Sequence, residues 1–467
     1  MFEINRIIDT DSYKASHFLQ YPPNTTRAFF YLESRGSDRD WNETVFFGLQ
    51  YLLKRFFVEK FTQEMVEEAN EVITKHGLPF NYEGWTNLIK KHKGKLPLRI
   101  RAVAEGSIVP LHNVLMTVET TDDEFAWLGS WFESQLMRIW YPITVTTQSY
   151  HIKKDFYRFL LETADDADAE ILFKVHDFGS RGVSSQETAA IGGAAHLVNF
   201  LGTDTMAALL LHRKFYNCEM AGFSIPAAEH STITAWGREN EILAYRNMLE
   251  NFAKPGAIVA VVSDSWDIYN AVEKIWGEQL RQEVVDSGAT VVIRPDSGEP
   301  IEVVSKIAHL LADKFGVTTN SKGYKVLKNV RIIQGDGVNE QSIHDILQRL
   351  KTEGFSASNI AFGIGGSLLQ KVNRDTLKFA YKCSAIVIDG RLRDVYKQPI
   401  TDAGKTSKKG RLDLVLKNGE YETVRLENVE TISAENSQLQ TVFENGAVLV
   451  DDSLDKIRKR TTEKFSC

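Results

Sequence analysis

Between residues 165 and 384 the chain repeats one pattern, a short apolar run followed by a polar, acidic or glycine-rich turn. Phe173-Lys174-Val175 leads into His176-Asp177-Phe178-Gly179, and Ile258-Val259-Ala260-Val261-Val262 into Ser263-Asp264-Ser265. Val291-Val292-Ile293 leads into Arg294-Pro295-Asp296-Ser297-Gly298, and Val330-Arg331-Ile332-Ile333 into Gln334-Gly335-Asp336-Gly337. Ile360-Ala361-Phe362 leads into Gly363-Ile364-Gly365-Gly366. Several turns open onto amphipathic helices; in one, Ile301, Val304, Ile307, Ala308 and Leu311 share a face. Repeated strand, loop and helix units predict parallel strands joined by right-handed crossovers. In such barrels the loops after the strand C-termini carry function. The unusual residues of this chain occupy those loops, which is the layout of an enzyme.

The flanking regions have another texture. Leu98-Arg99-Ile100-Arg101-Ala102-Val103 alternates and meets Glu105-Gly106, a strand and a turn. The stretch from Phe125 through Trp127, Leu128, Trp131, Phe132, Leu136, Ile139 and Trp140 has helical apolar spacing, read as core or subunit interface. Near the other end, the residues around Asn418-Gly419 and Asn445-Gly446 read as hairpins. Both ends therefore carry strands. Residues 1–164 and 385–467 are expected to form one discontinuous, β-rich mixed domain beside an α/β barrel of residues 165–384.

A chain of 467 residues is too long for one ordinary core, so intimately packed domains are the default. Hydrophobic residues at 43% and charged residues at 25% are those of a globular protein. The net charge of −7 argues against general nucleic-acid binding, so an anionic substrate needs a local cluster of Arg and Lys. Cys218, Cys383 and Cys467 form no CxxC pair, which fits a reducing compartment and excludes a disulfide framework. With no signal peptide at the amino terminus and no membrane-length apolar run, a cytoplasmic location without membrane association is expected.

Standard nucleotide motifs are missing. Gly404-Lys405-Thr406 resembles the end of a P-loop, but Pro399 stands where its first glycine belongs. Gly363-Ile364-Gly365-Gly366 lacks the later glycine of a dinucleotide fingerprint. Val448-Leu449-Val450-Asp451-Asp452 has no small-residue phosphate loop after it and reads as a strand end and a polar helix start. Glu229-His230 lacks the second histidine of a helical zinc motif.

Other stretches, taken in order, are specific. They are Asp11-Ser12-Tyr13-Lys14 with Gln20-Tyr21-Pro22-Pro23-Asn24, His176-Asp177-Phe178-Gly179 running to Arg181-Gly182-Val183-Ser184-Ser185-Gln186-Glu187, and Gly202-Thr203-Asp204. Pro226-Ala227-Ala228-Glu229-His230-Ser231, Ser263-Asp264-Ser265, Arg294-Pro295-Asp296-Ser297-Gly298, Gln334-Gly335-Asp336-Gly337 and Lys408-Lys409-Gly410-Arg411 follow. Across almost its whole length the chain resembles the nicotinamide phosphoribosyltransferases, dimeric type II phosphoribosyltransferases. The resemblance implies an irregular α/β barrel with a β-rich domain formed from both chain ends. It also implies a homodimer with active sites at the subunit interface, and transfer of phosphoribose from phosphoribosyl pyrophosphate to nicotinamide in NAD salvage.

By that resemblance, Phe178 and Tyr13 of the partner chain sandwich the flat pyridine ring, while Arg181 sits beside it and contacts the carboxamide or phosphates. Asp204 selects nicotinamide: a carboxylate accepts from the amide NH₂ and repels the carboxylate of nicotinate. As an alternative, Asp is a favoured cap for the helix starting near Thr205. Gly365 and Gly366 would receive the 5′-phosphate on backbone N–H groups, and Asp296 and Asp336 the ribose hydroxyls. Arg294 and Gly335 belong to the same substrate-binding set. Arg35, Arg374, Lys382 and Lys397 would bring positive charge to the phosphates, some from the neighbouring subunit.

His230 is the family's phosphorylated histidine, with ATP as phosphoryl donor, and needs a carboxylate to orient its other nitrogen. Asp264 is the candidate orienter and Glu229 the reserve. Mg²⁺ would bridge pyrophosphate oxygens, and no metal site made wholly of protein ligands is expected. The run Gly36-Ser37-Asp38-Arg39-Asp40-Trp41-Asn42-Glu43 is shorter than in animal members, which suggests a bacterial or viral one. Ser180 stands where tyrosine is common, and Ile364 and Ser367 replace small residues beside the glycine turn. The rival readings are a nicotinate phosphoribosyltransferase, opposed by Asp204, and a silent phosphate-ligand sensor, opposed by retention of His230, Asp264, Arg294 and Asp296.

Overall fold

The computed structural model describes residues 4–426 and 436–463; Cys467 lies outside them. The chain folds as two compact units, one of residues 1–147, 214–218 and 373–467, the other of residues 148–213 and 219–372.

The second unit is built on six parallel strands in the order Gly202–Thr203, Val175–Asp177, Ile360–Ile364, Val330–Gln334, Thr290–Arg294 and Ile258–Val262. The strands Ile258–Val262, Thr290–Arg294 and Ile360–Ile364 are largely apolar on both faces, as parallel strands covered on two sides are. Val259, Val261, Val291, Ile293 and Ile332 are wholly buried. The alternate positions Ala260, Val292 and Ile333 form a separate cluster with Phe178, Ile225 and Ala361. Two alternating apolar sets are the signature of a sheet with an inside and an outside.

The two edge strands are joined by residues 223–228. The Phe223 N–H donates to the Leu201 carbonyl at 2.7 Å, and the Phe223 carbonyl accepts from Thr203 at 3.1 Å. Five residues on, the Ala228 N–H donates to Ala260 at 3.0 Å and the Ala260 N–H to Pro226 at 3.0 Å. This seam closes the ring with single parallel bridges, Gly202 to Phe223 and Ala227 to Ala260. Pro226 has no N–H to extend it. The result is an irregular α/β barrel.

Helices follow the strands as expected. Pro300–Phe315 starts with proline in its first turn, is capped by the Glu299 carboxylate accepting from the Glu302 N–H, and buries Val303, Val304, Ile307, Ala308 and Leu311. Two strands are displaced from their sequence reading. The strand at 175–177 takes in His176 and Asp177, and that at 360–364 takes in Gly363 and Ile364, so the turns begin later than the apolar runs indicate.

The first unit holds a seven-stranded antiparallel sheet that mixes the two chain ends. Thr25–Ser34 pairs with Phe379–Ile388, and Leu98–Ala102 with Gln440–Glu444. Both Asn-Gly hairpins form, with Asn418 and Gly419 at φ 54° and 84° and Asn445 and Gly446 at 49° and 82°. The aromatic stripe is core, Phe125, Leu128, Trp131, Phe132, Leu136 and Ile139 all being buried. Its helix is interrupted, however, into Leu128–Trp131 and Glu133–Met137 before the long helix Trp140–Thr163. Among the described residues no helix is long and apolar enough to cross a membrane.

Candidate active site

The seam delivers its last residue, Ala228, to the strand Ile258–Val262, and two residues later His230 opens a short helix, His230–Thr234. Asp264 lies just beyond that strand's C-terminus. His230 Nε2 is 2.9 Å from Asp264 Oδ1. The other carboxylate oxygen, Oδ2, accepts from the Asp296 N–H at 3.1 Å and the Ser297 hydroxyl at 2.5 Å. The Asp264 side chain is 4% exposed and that of His230 46%. A fixed carboxylate thus holds one ring nitrogen of an accessible imidazole. His230 Nδ1 is 4.0 Å from Asp296 Oδ2.

Glu229 is turned elsewhere. Its carboxylate accepts from the Ser231 hydroxyl, and its N–H donates to Thr232 Oγ1 at 3.2 Å. Arg294 Nε is 3.7 Å from Asp296 Oδ1, an ion pair beyond hydrogen-bond length, and that Nε is buried with no hydrogen-bond partner. Burial raises the Asp296 carboxyl above the ordinary range against the opposing pull of Arg294, and the charges of Asp264 and Asp336 add to the rise. Asp336 is exposed on the next loop, whose backbone is pinned by Gln334 Nε2 donating to the Asp336 carbonyl at 2.8 Å.

Phe178 follows the strand Val175–Asp177, and its N–H donates to the Ile364 carbonyl at 2.9 Å. The ring lies flat against backbone: a Cβ on Gly363 would fall 1.9 Å from its Cε2. The space over Gly335 is shared by Asp296 Oδ1, Arg294 Cδ and the Phe178 ring edge, so these three side chains converge. Arg181 is exposed on the turn Ser180–Gly182. Gly182 approaches Gly366, its ideal Cβ lying 3.4 Å from the Gly366 Cα, while Gly366 itself faces open space. The two turns therefore adjoin.

Asp204 follows the strand Gly202–Thr203. Its N–H donates to the Asp177 carbonyl at 2.9 Å, and its exposed carboxylate accepts from the Ser224 hydroxyl at 2.6 Å. Ser224 belongs to the seam. His176 is close enough for the Asp204 charge to act on it, although burial dominates and lowers the imidazole below its ordinary range.

The remaining sequence-predicted residues belong to the first unit. Tyr13 is 57% exposed, with Lys14 Nζ 5.1 Å from its ring centroid. Arg35 Nε donates to Glu33 Oε1 at 2.8 Å, and Lys408 pairs with the other oxygen of Glu33. Lys382 is lowered by burial and, against the pull of Glu133, by the charges of Arg35, Lys397 and Lys14. Arg35, Lys382 and Lys397 thus form one basic patch. Arg374 is exposed and meets Asp375 at 3.2 Å.

The family model described as the nicotinate phosphoribosyltransferase family matches residues 173–447, more than half of the chain. The chain belongs to that family. The model of the nicotinamide phosphoribosyltransferase N-terminal domain matches residues 5–100. A protein named nicotinamide phosphoribosyltransferase from Xanthomonas campestris pv. campestris is 55% identical over 457 residues, covering 97% of each chain. One of the same name from Acinetobacter baylyi is 31% identical, covering 99% of this chain and 98% of its own. The chain is therefore a phosphoribosyltransferase.

Solved structures agree on the fold. Nicotinate-nucleotide pyrophosphorylase from Pyrococcus furiosus aligns with a TM-score of 0.64 at 16% identity, over 100% of this chain and 98% of that one. Human nicotinic acid phosphoribosyltransferase aligns with a TM-score of 0.58 at 17% identity, over 98% and 93%.

Within this family fold three polar residues join the site that sequence reasoning did not single out: Ser297 on Asp264, Ser224 on Asp204, and Asp177 between Phe178 and Asp204. Serine after the Asp296 turn was a visible signal for the first. Ser224 has none in the sequence, because nothing local marks residues 223–228 as the seam.

Proposed function

We propose that this phosphoribosyltransferase transfers the phosphoribosyl group of phosphoribosyl pyrophosphate to nicotinamide in NAD salvage, giving nicotinamide mononucleotide and pyrophosphate. The observation that carries the reading is Asp204, an exposed carboxylate beyond a barrel strand. Ser224 occupies its Oδ1, leaving Oδ2 to accept from an amide N–H. A carboxylate there repels nicotinate, and sites built around one hydrogen-bonding group reject analogues lacking it by about 10⁴–10⁵. The names of the relatives that cover nearly the whole chain support it.

Phe178 offers the pyridine ring a flat face braced from behind by the Gly363 backbone, and a stack of this kind contributes about 0.5–1.5 kcal/mol beyond burial. Tyr13 of a second subunit supplies the other face, and Arg35, Arg374, Lys382 and Lys397 charge for the phosphates, in a homodimer with shared sites. Gly365 and Gly366 take the 5′-phosphate next to Arg181. Asp296 and Asp336 take the ribose hydroxyls, beside Arg294 and Gly335. The bond from ribose C1 to pyrophosphate breaks through an oxocarbenium-like state, and the pyridine nitrogen attacks the opposite face. The residues act by proximity and preorganised charge. The nitrogen carries no proton, so no side-chain base is required.

ATP couples to this reaction through His230. With Nε2 held by Asp264, Nδ1 keeps its lone pair for the γ-phosphorus; the N–P bond forms as the bond to the β-phosphate oxygen breaks and ADP leaves. Asp264, not Glu229, is the orienting group. Mg²⁺ entering with the phosphoribosyl donor would meet the negative charge that Asp264 and Asp336 place around Asp296. Mg²⁺ bound there would neutralise charge developing on the leaving pyrophosphate.

The test is to supply phosphoribosyl pyrophosphate and Mg²⁺ with nicotinamide or nicotinate, with and without ATP, and to quantify both mononucleotides. Nicotinamide mononucleotide, increased by ATP, is expected. Preferential use of nicotinate would overturn the role of Asp204.

A further inference from the structure

Asp177 is a wholly buried carboxyl in contact with both loops that would meet the base, and no step of the reaction uses it. Its Oδ1 accepts from the Gly179 N–H at 2.7 Å, immediately past Phe178. Its Oδ2 lies 3.5 Å from Thr203 Oγ1, immediately before Asp204, and the same hydroxyl oxygen accepts from the Thr205 N–H at 3.0 Å. Its main-chain carbonyl accepts from the Asp204 N–H at 2.9 Å. One residue therefore holds the backbone just past the stacking ring, at Gly179, and the Asp204 N–H, and its side chain meets the hydroxyl of Thr203 beside the amide-selecting carboxylate.

The surroundings are shaped around that carboxyl. A Cβ on Gly179 would come within 3.0 Å of Oδ1, and one on Gly193 within 3.0 Å of Oδ2. Burial pushes the carboxyl up to about 6, against the opposing pull of the Thr205 side chain, the Gly179 N–H and the Thr203 hydroxyl, with the Asp204 charge adding to the rise. A buried carboxyl of this kind is costly to keep unless it satisfies donors that would otherwise be orphaned. The Gly179 N–H is such a donor. Leucine or threonine would fill the space, but neither reaches an N–H and a hydroxyl on two different loops.

We propose that Asp177 is the positioning residue that sets the spacing between Phe178 and Asp204, and so governs recognition of the base and not of the phosphoribosyl donor. The inference rests on the assignment of Phe178 and Asp204 to the nicotinamide site. The donor side of the barrel, at Asp264, Asp296, Asp336 and the Gly365-Gly366 turn, makes no hydrogen bond to the Asp177 carboxyl among the described residues.

The experiment compares wild type, Asp177→Ala, Asp177→Asn and Thr203→Val in steady-state assays with each substrate varied. Thermal melts and base-independent ATP hydrolysis serve as controls on the fold. Asp177→Ala is expected to raise KM for nicotinamide at least tenfold, with KM for phosphoribosyl pyrophosphate and ATP hydrolysis within about twofold. Asp177→Asn keeps an acceptor for Gly179 and an amide group for Thr203, so it is expected to restore KM to within about threefold. Thr203→Val, which removes one end of the bracket, should give a smaller rise. If Asp177→Ala proves too unstable, the ordering of Thr203→Val and wild type still decides the question. Unchanged nicotinamide KM in folded Asp177→Ala, or an equal change in both substrates' KM, overturns the proposal. A wild-type enzyme that does not use nicotinamide overturns instead the functional reading beneath it.

Discussion

His230 Nε2 and Asp264 Oδ1 lie 2.9 Å apart, and the same carboxylate is held at its other oxygen by the Asp296 N–H and the Ser297 hydroxyl. Asparagine at 264 keeps the size but presents an NH₂ group to Nε2, so the imidazole turns its proton to Nδ1 and loses the nucleophilic lone pair there. Asp264→Asn is therefore expected to reduce ATP-stimulated turnover by about 10²–10⁴, the scale seen when a histidine loses its orienting carboxylate. ATP-independent turnover should stay within about threefold. Initial rates with and without ATP, together with acid-labile label from γ-labelled ATP, check both halves.

Gly363 underlies the Phe178 ring, and a methyl group there would sit 1.9 Å from a ring carbon. No side-chain rotation of alanine relieves that contact, because Cβ is fixed by the backbone. Gly363→Ala is expected to tip Phe178 out of its stacking position and to raise KM for nicotinamide about tenfold or more. The overpacking should lower stability by about 1–3 kcal/mol. KM measurements and a denaturant melt read the two effects separately.

The barrel was legible because its strands announce themselves locally: Ile258-Val259-Ala260-Val261-Val262 is too apolar for a surface and too short for a helix. Asp264 and Asp296 stood in the loops after those strands, whereas the family resemblance alone grouped His230 with them ahead of the observed 2.9 and 4.0 Å separations. The seam at 223–228 was not legible. It contains a proline and makes two single bridges, so it carries neither the alternation nor the apolar run of a strand. With the seam unseen, the Ser224–Asp204 bond had no basis. The boundary at Phe173-Lys174-Val175 erred for a related reason: His176 and Asp177 are polar residues inside a strand, kept there by a backbone carbonyl accepting from the His176 ring and a Gly179 N–H donating to Asp177. Pairing with the strands Ile360–Ile364 and Gly202–Thr203, together with these local bonds, decides such positions over strand preference.

Asp204 should control which base is used. Asp204→Ala removes both the acceptor for the amide and the repulsion of a carboxylate, so the preference for nicotinamide over nicotinate in kcat/KM is expected to fall by at least about 10²-fold. Ser224→Ala frees Oδ1 without removing charge and should lower nicotinamide kcat/KM by less than tenfold, about 1 kcal/mol for a lost hydrogen bond. Competition assays with both bases present measure the ratio directly.

Stability should carry a pH signature from Glu105, far in sequence from the site. Its carboxylate accepts from the N–H groups of Gly48 at 3.1 Å and Gln50 at 2.7 Å, at the start of the helix Leu49–Phe56. Burial nonetheless dominates and pushes the carboxyl up to about 7 from 4.5, with the charge of Asp452 adding to the rise. Below pH 4.5 the group is protonated whether the chain is folded or not, so it contributes no dependence there. Between pH 4.5 and 7 the unfolded chain releases this proton while the folded chain keeps it. The folded state then binds more protons, and stability falls as pH rises through that window. At 1.36 kcal/mol per pKa unit the loss is about 3 kcal/mol. Glu105→Gln cannot titrate, so its melting temperature relative to wild type should rise by roughly 6–12 °C between pH 4.5 and 8, at about 2–4 °C per kcal/mol for a unit of this size. Paired thermal melts at the two pH values measure it, and a constant difference between the two proteins would mean that Glu105 titrates in the fold as it does in the unfolded chain.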